Sequence, residues 1–179
     1  MKRHFWLSLC IIAIGGCGPT SHPSGEVCES PSVPASPNLQ SKKHASVATP
    51  VTGTLRLANA ATQAGDELEL SVLLEIAPLW EIDPLKASLG SAATQLRLNL
   101  PPGLSAVGEW QSPEPFVSGM SGGHPGYGGE VLFTRRLKSS PQMPAGKYAI
   151  LCSVAYQACN EQQCLQPAEM ELKTVVEIK

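Results

Sequence analysis

Apolar and polar side chains alternate strictly over several stretches of the chain, a two-residue period that is typical of β-strands with one buried face. The clearest stretch is residues 67–76, where apolar side chains occupy every second position: Leu68, Leu70, Val72, Leu74 and Ile76. The intervening positions carry mainly Glu and Ser. This pattern predicts a strand with one face in the core and the other in water.

Similar patterns recur along the rest of the chain. They cover residues 52–58, 95–100, 107–110, 130–137 and 147–157, and they end with a strand on which Met170, Leu172, Val176 and Ile178 share a face. Turns containing proline and glycine separate these segments, and no helical period is evident. The sequence therefore predicts an all-β fold, an antiparallel β-sandwich of about seven strands or more.

One long stretch, residues 112–129, lacks this alternation and is rich in glycine and proline. It contains Phe116, His124 and Tyr127. A loop of this length in a compact domain is more often functional than structural filler, so we expect it to contribute to a site.

The first 17 residues have the pattern of an export signal. Two basic residues, Lys2 and Arg3, precede an apolar run over residues 5–14, and Gly15 and Gly16 lead into Cys17. The apolar run is too short to span a bilayer. Residues 14–17 resemble a bacterial lipobox, so we expect Cys17 to carry the lipid that anchors the chain to a membrane.

Residues 18–50 are rich in proline and serine and contain few large apolar side chains, so we expect a disordered tether. The remaining residues, 51–179, are enough for one domain with a hydrophobic core. They carry nine Lys and Arg against thirteen Asp and Glu, a net charge of −4. This balance argues against nucleic acid as a partner, because a nucleic-acid-binding face needs a basic cluster.

The six cysteines of the sequence have different expected fates. Cys10 leaves with the signal peptide, and Cys28 is an odd thiol in the tether. Cys152 belongs to an apolar strand face and is expected to be buried. Cys159 and Cys164 flank a polar tetrapeptide, so a disulfide between them is sterically plausible.

The residues alone leave three uses for the Cys159–Cys164 pair. In the chain-entropy estimate, closing a loop of about six residues stabilises a fold by only about 2 kcal/mol, against roughly 4.7 kcal/mol for a hundred-residue loop. That small value favours a bond that is made and broken, but structural hairpin disulfides also exist. A metal site that includes His124 is the third alternative, although two thiolates without a nearby third ligand are a weak metal motif.

Three segments of the chain are similar to motifs of a known protein family. Residues 154–159 (VAYQAC) and 164–169 (CLQPAE) resemble the end of the N-terminal domain of the bacterial thiol-disulfide interchange protein DsbD. Residues 78–82 (PLWEI) are similar to its Pro-Gly-Trp-His-Ile signature, and residues 127–131 (YGGEV) to its Tyr-Gly-x-x-Glu region. The similarity runs from about residue 63 to residue 178.

This resemblance implies an immunoglobulin-like sandwich exposed to the periplasm. It implies that Cys159 and Cys164 exchange disulfides with thioredoxin-like or other envelope redox proteins, with Cys164 forming the mixed disulfide. It also implies a cap over the pair in the loop before Tyr127. No bound cofactor and no metal are expected, and the chemistry would be thiolate attack on a partner disulfide.

The sequence departs from the family pattern in three ways. Four residues separate the cysteines where the enterobacterial form has five, and Gly126 stands where that form has an aromatic cap residue. Tyr127 or Phe116 would then shield the cysteine pair, or the pair would be unshielded. Tyr156 is a further candidate residue that flanks the two cysteines. No multi-span membrane domain follows Lys179, so we expect a stand-alone lipoprotein.

The alternative function is a non-enzymatic binding module with a structural disulfide.

Overall fold

The structure, a computed structural model, describes residues 45–46, 48–86, 92–117 and 123–179. These residues belong to one compact unit, Ser41–Lys179. The predicted signal peptide, Cys17, Cys28 and most of the predicted tether lie outside the described residues. Within the described ranges, no helix is long and apolar enough to cross a membrane.

The described residues form twelve strands and no helix, which confirms the all-β prediction. In chain order they are β1 (Val51–Leu57), β2 (Ala61–Thr62), β3 (Glu67–Ile76), β4 (Glu81–Ile82), β5 (Gln95–Asn99), β6 (Leu104–Gln111), β7 (Phe116–Val117), β8 (Pro125–Gly126), β9 (Glu130–Ser139), β10 (Gly146–Tyr156), β11 (Ala158–Cys159) and β12 (Ala168–Ile178). Each of the seven long strands overlaps one of the seven alternating segments of the sequence.

Two four-stranded sheets make the sandwich. One has the strand order β1-β3-β9-β6 and the other β2-β12-β10-β5. All neighbouring pairs in them are antiparallel except the short β2, which runs parallel to β12. The fold is thus an immunoglobulin-like β-sandwich, as the sequence predicts.

The core lies between the sheets and is built from the predicted apolar faces. All five alternating positions of β3 are buried, from Leu68 to Ile76, and they meet Ile150, Cys152 and Val154 of β10 in one hydrophobic cluster. The two faces share that cluster because strict alternation sends every second side chain inward.

Two smaller pairs of strands lie outside the main sheets. β4 pairs with β11, and β7 pairs with β8. β11 contains Cys159, and β7 and β8 belong to the predicted cap loop. The main sheets therefore supply the scaffold, and the small pairs carry the site.

Candidate functional site

The cysteines lie in a hairpin that follows the long strand β10. The amide of Leu165 donates a hydrogen bond to the carbonyl oxygen of Ala158 over 2.9 Å, and the amide of Asn160 donates to Gln163 over 2.9 Å. The side-chain oxygen of Asn160 accepts two further bonds, from the amides of Gln162 and Gln163, both at 2.9 Å. Backbone and asparagine hydrogen bonds thus hold this turn.

Cys159 and Cys164 stand directly opposite each other in the hairpin and form a disulfide. Their Cα atoms are 4.0 Å apart. The hydrogen bonds on either side of the pair leave Cys159 and Cys164 at a non-hydrogen-bonded position, where opposing side chains approach most closely. The local strand geometry therefore brings the two sulfurs together.

The hairpin is the edge of a small sheet. On its inner side β11 pairs with β4, with Ala158 opposite Ile82 and Cys159 opposite Glu81. Ile82 in turn exchanges two backbone hydrogen bonds with Tyr127, at 2.8 and 2.9 Å. The order across this small sheet is therefore Tyr127, β4, β11 and the segment that carries Cys164.

The two faces of the small sheet differ in chemistry. Residues opposite one another project from the same face. Ile82, Tyr127 and Ala158 are all buried and join the core. The other face carries Glu81 and the disulfide.

The two cysteines differ in exposure. Cys164 is exposed, whereas Cys159 is half-buried. Cys164 is therefore the more accessible of the two sulfurs to solvent.

The predicted cap residues lie close to this sheet but differ in position. Phe116 pairs with Gly126 in the β7–β8 ladder, and Phe116 is 47% exposed. A Cβ added at Gly128 would lie 3.2 Å from the Phe116 ring, so that ring covers Gly128. Gly126 lies against Glu81, since a Cβ added there would be 3.4 Å from its carboxylate oxygen.

The two candidate tyrosines are held by the fold. Tyr127 is buried, its ring packs edge-on against Phe133 at 5.5 Å, and its hydroxyl donates to the carbonyl oxygen of Pro113 over 3.2 Å. Because Tyr127 projects from the core face, the small sheet separates its ring from the sulfurs. Tyr156 ends β10, two residues before β11, and burial raises its pKa.

His124 lies beside Asp83, the residue that follows β4. Burial raises the pKa of the Asp83 carboxyl, and the backbone of Ala92 and the charge of His124 offset part of that rise. Among the described residues, no group of three or more His, Cys, Asp or Glu side chains is arranged to hold a metal ion.

Cys152 is a different kind of cysteine. Its side chain is fully buried in β10, and burial raises the pKa of its thiol from 9.0 to about 11. Thiols react as thiolates, so a buried thiol with a raised pKa is inert. Among the described cysteines, Cys159 and Cys164 are therefore the candidates for thiol-disulfide exchange.

Two residues of the site were not found from the sequence. Glu81 is only 2% exposed although it is charged in water, and Leu79 has a left-handed backbone, with φ at 67°. A hint was present, because the two residues replace the histidine and the glycine of the DsbD signature. Their burial and backbone conformation depend on contacts that the pattern does not encode.

Fold and site together define an immunoglobulin-like sandwich with a cross-strand disulfide at a surface hairpin. No known protein family and no curated protein sequence matches the chain. Among solved structures, the N-terminal periplasmic domain of ScsB from Proteus mirabilis is similar, with 18% identity and a TM-score of 0.48 over 68% of this chain. The match covers 45% of that ScsB chain, so this chain spans less than half its length.

A second similar structure is a chain of the type I cohesin–dockerin complex Coh-OlpA–Doc918 from Clostridium thermocellum. It has 16% identity and a TM-score of 0.42, and the match covers 72% of this chain and 99% of that one. At these identities and TM-scores neither structure indicates a function. The site must therefore be interpreted from its own geometry.

Proposed function

We propose that this domain exchanges disulfides with envelope partner proteins through Cys159 and Cys164. The observation that carries the proposal is the combination of an exposed Cys164 with a turn that is already closed by hydrogen bonds. A disulfide adds little to such a turn as a staple, since it closes a loop of about six residues. Its position instead suits a bond that a partner attacks.

The exchange is a two-electron transfer by way of a mixed disulfide. In the reducing direction, the Cys164 thiolate attacks a partner disulfide and one partner sulfur leaves. Cys159 then attacks the Cys164 sulfur, the internal disulfide forms, and the second partner sulfur leaves. The half-buried position of Cys159 suits this second, intramolecular step.

Exposed apolar side chains lie in the segments that adjoin the small sheet, and they suit a docked partner. Leu79 is 73% exposed and Val117 is 65% exposed, and Phe116 is next to Val117 in β7. Leu79 precedes β4, the strand that pairs with Cys159. We propose that thioredoxin-like proteins, or other envelope redox proteins, dock on this apolar rim.

We propose that the chain acts as a lipid-anchored protein in the bacterial envelope, facing the periplasm. The lipobox-like residues 14–17 and the resemblance to DsbD support this location. Cys17→Ser should release the protein from the membrane fraction, as measured by detergent phase partition. Retention of this variant in the membrane fraction would contradict the anchor.

The reduction potential of the pair tests the proposed exchange. The full chain is equilibrated with glutathione buffers, free thiols are trapped, and the peptide that contains Cys159 and Cys164 is quantified by mass spectrometry. A potential between about −180 and −270 mV is that of exchange proteins. A potential below about −300 mV is that of a structural bridge, and it would leave the binding module as the function.

A further inference from the structure

Glu81 is a buried carboxylate at the centre of the site. It is 2% exposed, and neither of its side-chain oxygens has a hydrogen-bond partner among the residues that the structure describes. Leaving a polar group buried and unpaired costs free energy, so native proteins rarely do so. A buried carboxylate without a hydrogen-bond partner therefore points to a functional role.

The position of Glu81 suggests that use. Glu81 is directly opposite Cys159 in the β4–β11 ladder. Opposite residues of an antiparallel pair share a face, with Cβ atoms about 4.5–5.5 Å apart. The side chain of Glu81 therefore projects from the same face of the small sheet as the disulfide, on the strand next to Cys159.

Gly126 shapes the space around the Glu81 carboxylate. A Cβ at this position would lie 3.4 Å from an oxygen of Glu81 and 3.7 Å from its Cβ. The glycine backbone is thus packed on the glutamate, which shields Glu81 from water. Gly126 stands where DsbD has an aromatic cap residue, and Glu81 stands where DsbD has a histidine. The absence of a side chain at Gly126 thus leaves room for Glu81.

We propose that Glu81 is the proton acceptor for Cys159 when the mixed disulfide is resolved. This inference rests on the proposed exchange function. Cys164 is exposed and can lose its thiol proton to water, whereas Cys159 is half-buried and has a carboxylate opposite it. General bases of this kind accelerate a proton-transfer step by about 10²–10⁴-fold.

Resolution of the mixed disulfide moves one proton and one electron pair. The proton of the Cys159 thiol passes to the Glu81 carboxylate, and the Cys159 sulfur attacks the Cys164 sulfur. The bond between these two sulfurs forms as the bond from Cys164 to the partner breaks. The partner sulfur leaves as a thiolate with the electron pair, and the proton on Glu81 then passes to that thiolate or to water.

Other titratable residues lie in the segments around Glu81. Asp83 directly follows β4, His124 and Tyr127 flank β8, with Tyr127 projecting from the opposite face, and Glu161 lies in the hairpin turn between the two cysteines. Glu161 is exposed. It therefore offers a matched control, because Glu161→Gln removes one carboxylate near the pair without touching the buried position.

The experiment measures resolution of a mixed disulfide in the full chain. The reduced protein is mixed with oxidised glutathione, quenched in acid at intervals, and the peptide containing Cys159 and Cys164 is separated into free, mixed and internal disulfide forms. The rate of conversion from mixed to internal disulfide is followed from pH 6 to pH 10. Glu81→Gln, which keeps the shape of the side chain but cannot accept the proton, is compared with Glu161→Gln.

We expect Glu81→Gln to slow the conversion on the order of 100-fold near neutral pH. The deficit should shrink as pH rises, because hydroxide then takes the thiol proton directly. Glu161→Gln should stay within about twofold of the wild type, and Glu81→Asp should recover part of the rate. A Glu81→Gln rate equal to that of the wild type, or lowered equally at every pH, would overturn the proposal.

A second pair of variants guards against misfolding of Glu81→Gln. Gly126→Ala adds a methyl group against the Ile82 carbonyl and the Glu81 carboxylate, while Gly128→Ala adds one against Phe116 and the Trp80 carbonyl. Only Gly126→Ala should reproduce the pH-dependent deficit, and equal effects of the two would contradict the role of Glu81. If the wild type forms no internal disulfide at all, the exchange function itself fails, and the inference fails with it.

Discussion

Individual residues of this site show how local chemistry and long-range packing combine. Leu79 is an exposed leucine with a φ of 67°, in the left-handed region that favours glycine. It stands where the DsbD signature has its glycine. The turn before β4 therefore combines a backbone conformation that favours glycine with a large apolar side chain on the surface.

The cost of that conformation predicts a stabilising substitution. A left-handed conformation costs an ordinary residue about 1–2 kcal/mol, and glycine's greater freedom in the unfolded chain returns part of that. Leu79→Gly should therefore raise the free energy of unfolding by about 0.5–1 kcal/mol, as measured by urea denaturation. Leu132→Gly, at an exposed position inside β9, should instead lower it by a similar amount.

The buried thiol of Cys152 predicts a pH dependence. Because its pKa is raised from 9.0 to about 11 in the folded protein, the folded state binds the thiol proton more tightly than the unfolded state. Its contribution to stability is therefore complete below pH 9 and is lost as pH rises toward 11. Cys152→Ala should remove this part of the decrease in the free energy of unfolding with pH. At neutral pH the substitution should lower the free energy of unfolding by about 1–2 kcal/mol, because buried surface is lost.

Urea unfolding between pH 7 and pH 11 checks this prediction. Tyr156 adds a loss of the same sign at higher pH, because burial raises its pKa as well, and Tyr156→Phe separates the two contributions. Equal pH dependence in the wild type and Cys152→Ala would show that the thiol does not titrate differently in the two states.

Among the elements, the hairpin that carries Cys159 and Cys164 is shaped by one side chain. Asn160 accepts hydrogen bonds from two backbone amides within the turn. Asparagine commonly mimics a backbone turn in this way. Because these bonds do not involve the sulfurs, we expect them to hold the two cysteines close in the reduced state as well, which would make closure of the disulfide easier.

Asn160→Ala should therefore make the disulfide easier to reduce. The reduced turn would open, so the two thiols would meet less often. With each side-chain hydrogen bond contributing about 0.5–1.5 kcal/mol, a net change near 1 kcal/mol corresponds to a rise of about 20 mV in the reduction potential. Gln162→Ala is the matched control, since Gln162 contributes only its backbone amide to the turn; an equal shift in both variants would refute the role of Asn160.

The sequence predicts the elements unevenly, for physical reasons. The strand β3 follows directly from its alternation, because period two needs only local information. The strand β6 was predicted over residues 107–110 but spans Leu104–Gln111, since the register shifts between Val107 and Gln111 and Gly108 has a φ of 67°. A bulge of this kind interrupts the alternation on which the prediction depends.

The site is predictable to a similar degree. Spacing and resemblance placed Cys159 and Cys164 together, and the structure has them bonded. The burial of Glu81 was missed, because it depends on β11 and on the segment around Gly126, which lie far along the chain. A charged residue between Trp80 and Ile82 gives no local sign that a distant segment will cover it.

At the scale of the whole molecule, the disulfide lies on the face of the small sheet that points away from the hydrophobic core. The large sheets bury the core, while the disulfide lies on the small β4–β11 pair outside them. A domain that exchanges disulfides must stay folded in both redox states. The position of the disulfide should allow it to be reduced while the hydrophobic core stays packed.

Reduction should therefore leave the sandwich folded. Loss of a six-residue loop closure costs about 2 kcal/mol, which lowers the Tm by about 5–10 °C in a domain of this size. Far-ultraviolet circular dichroism should be unchanged at 25 °C, and a single cooperative transition should remain. A Cys159→Ala/Cys164→Ala double variant should have a Tm close to that of the reduced wild type, and reductant should not change it. Loss of the β-sheet spectrum of the wild type on reduction would instead show that the disulfide is a structural element of the fold.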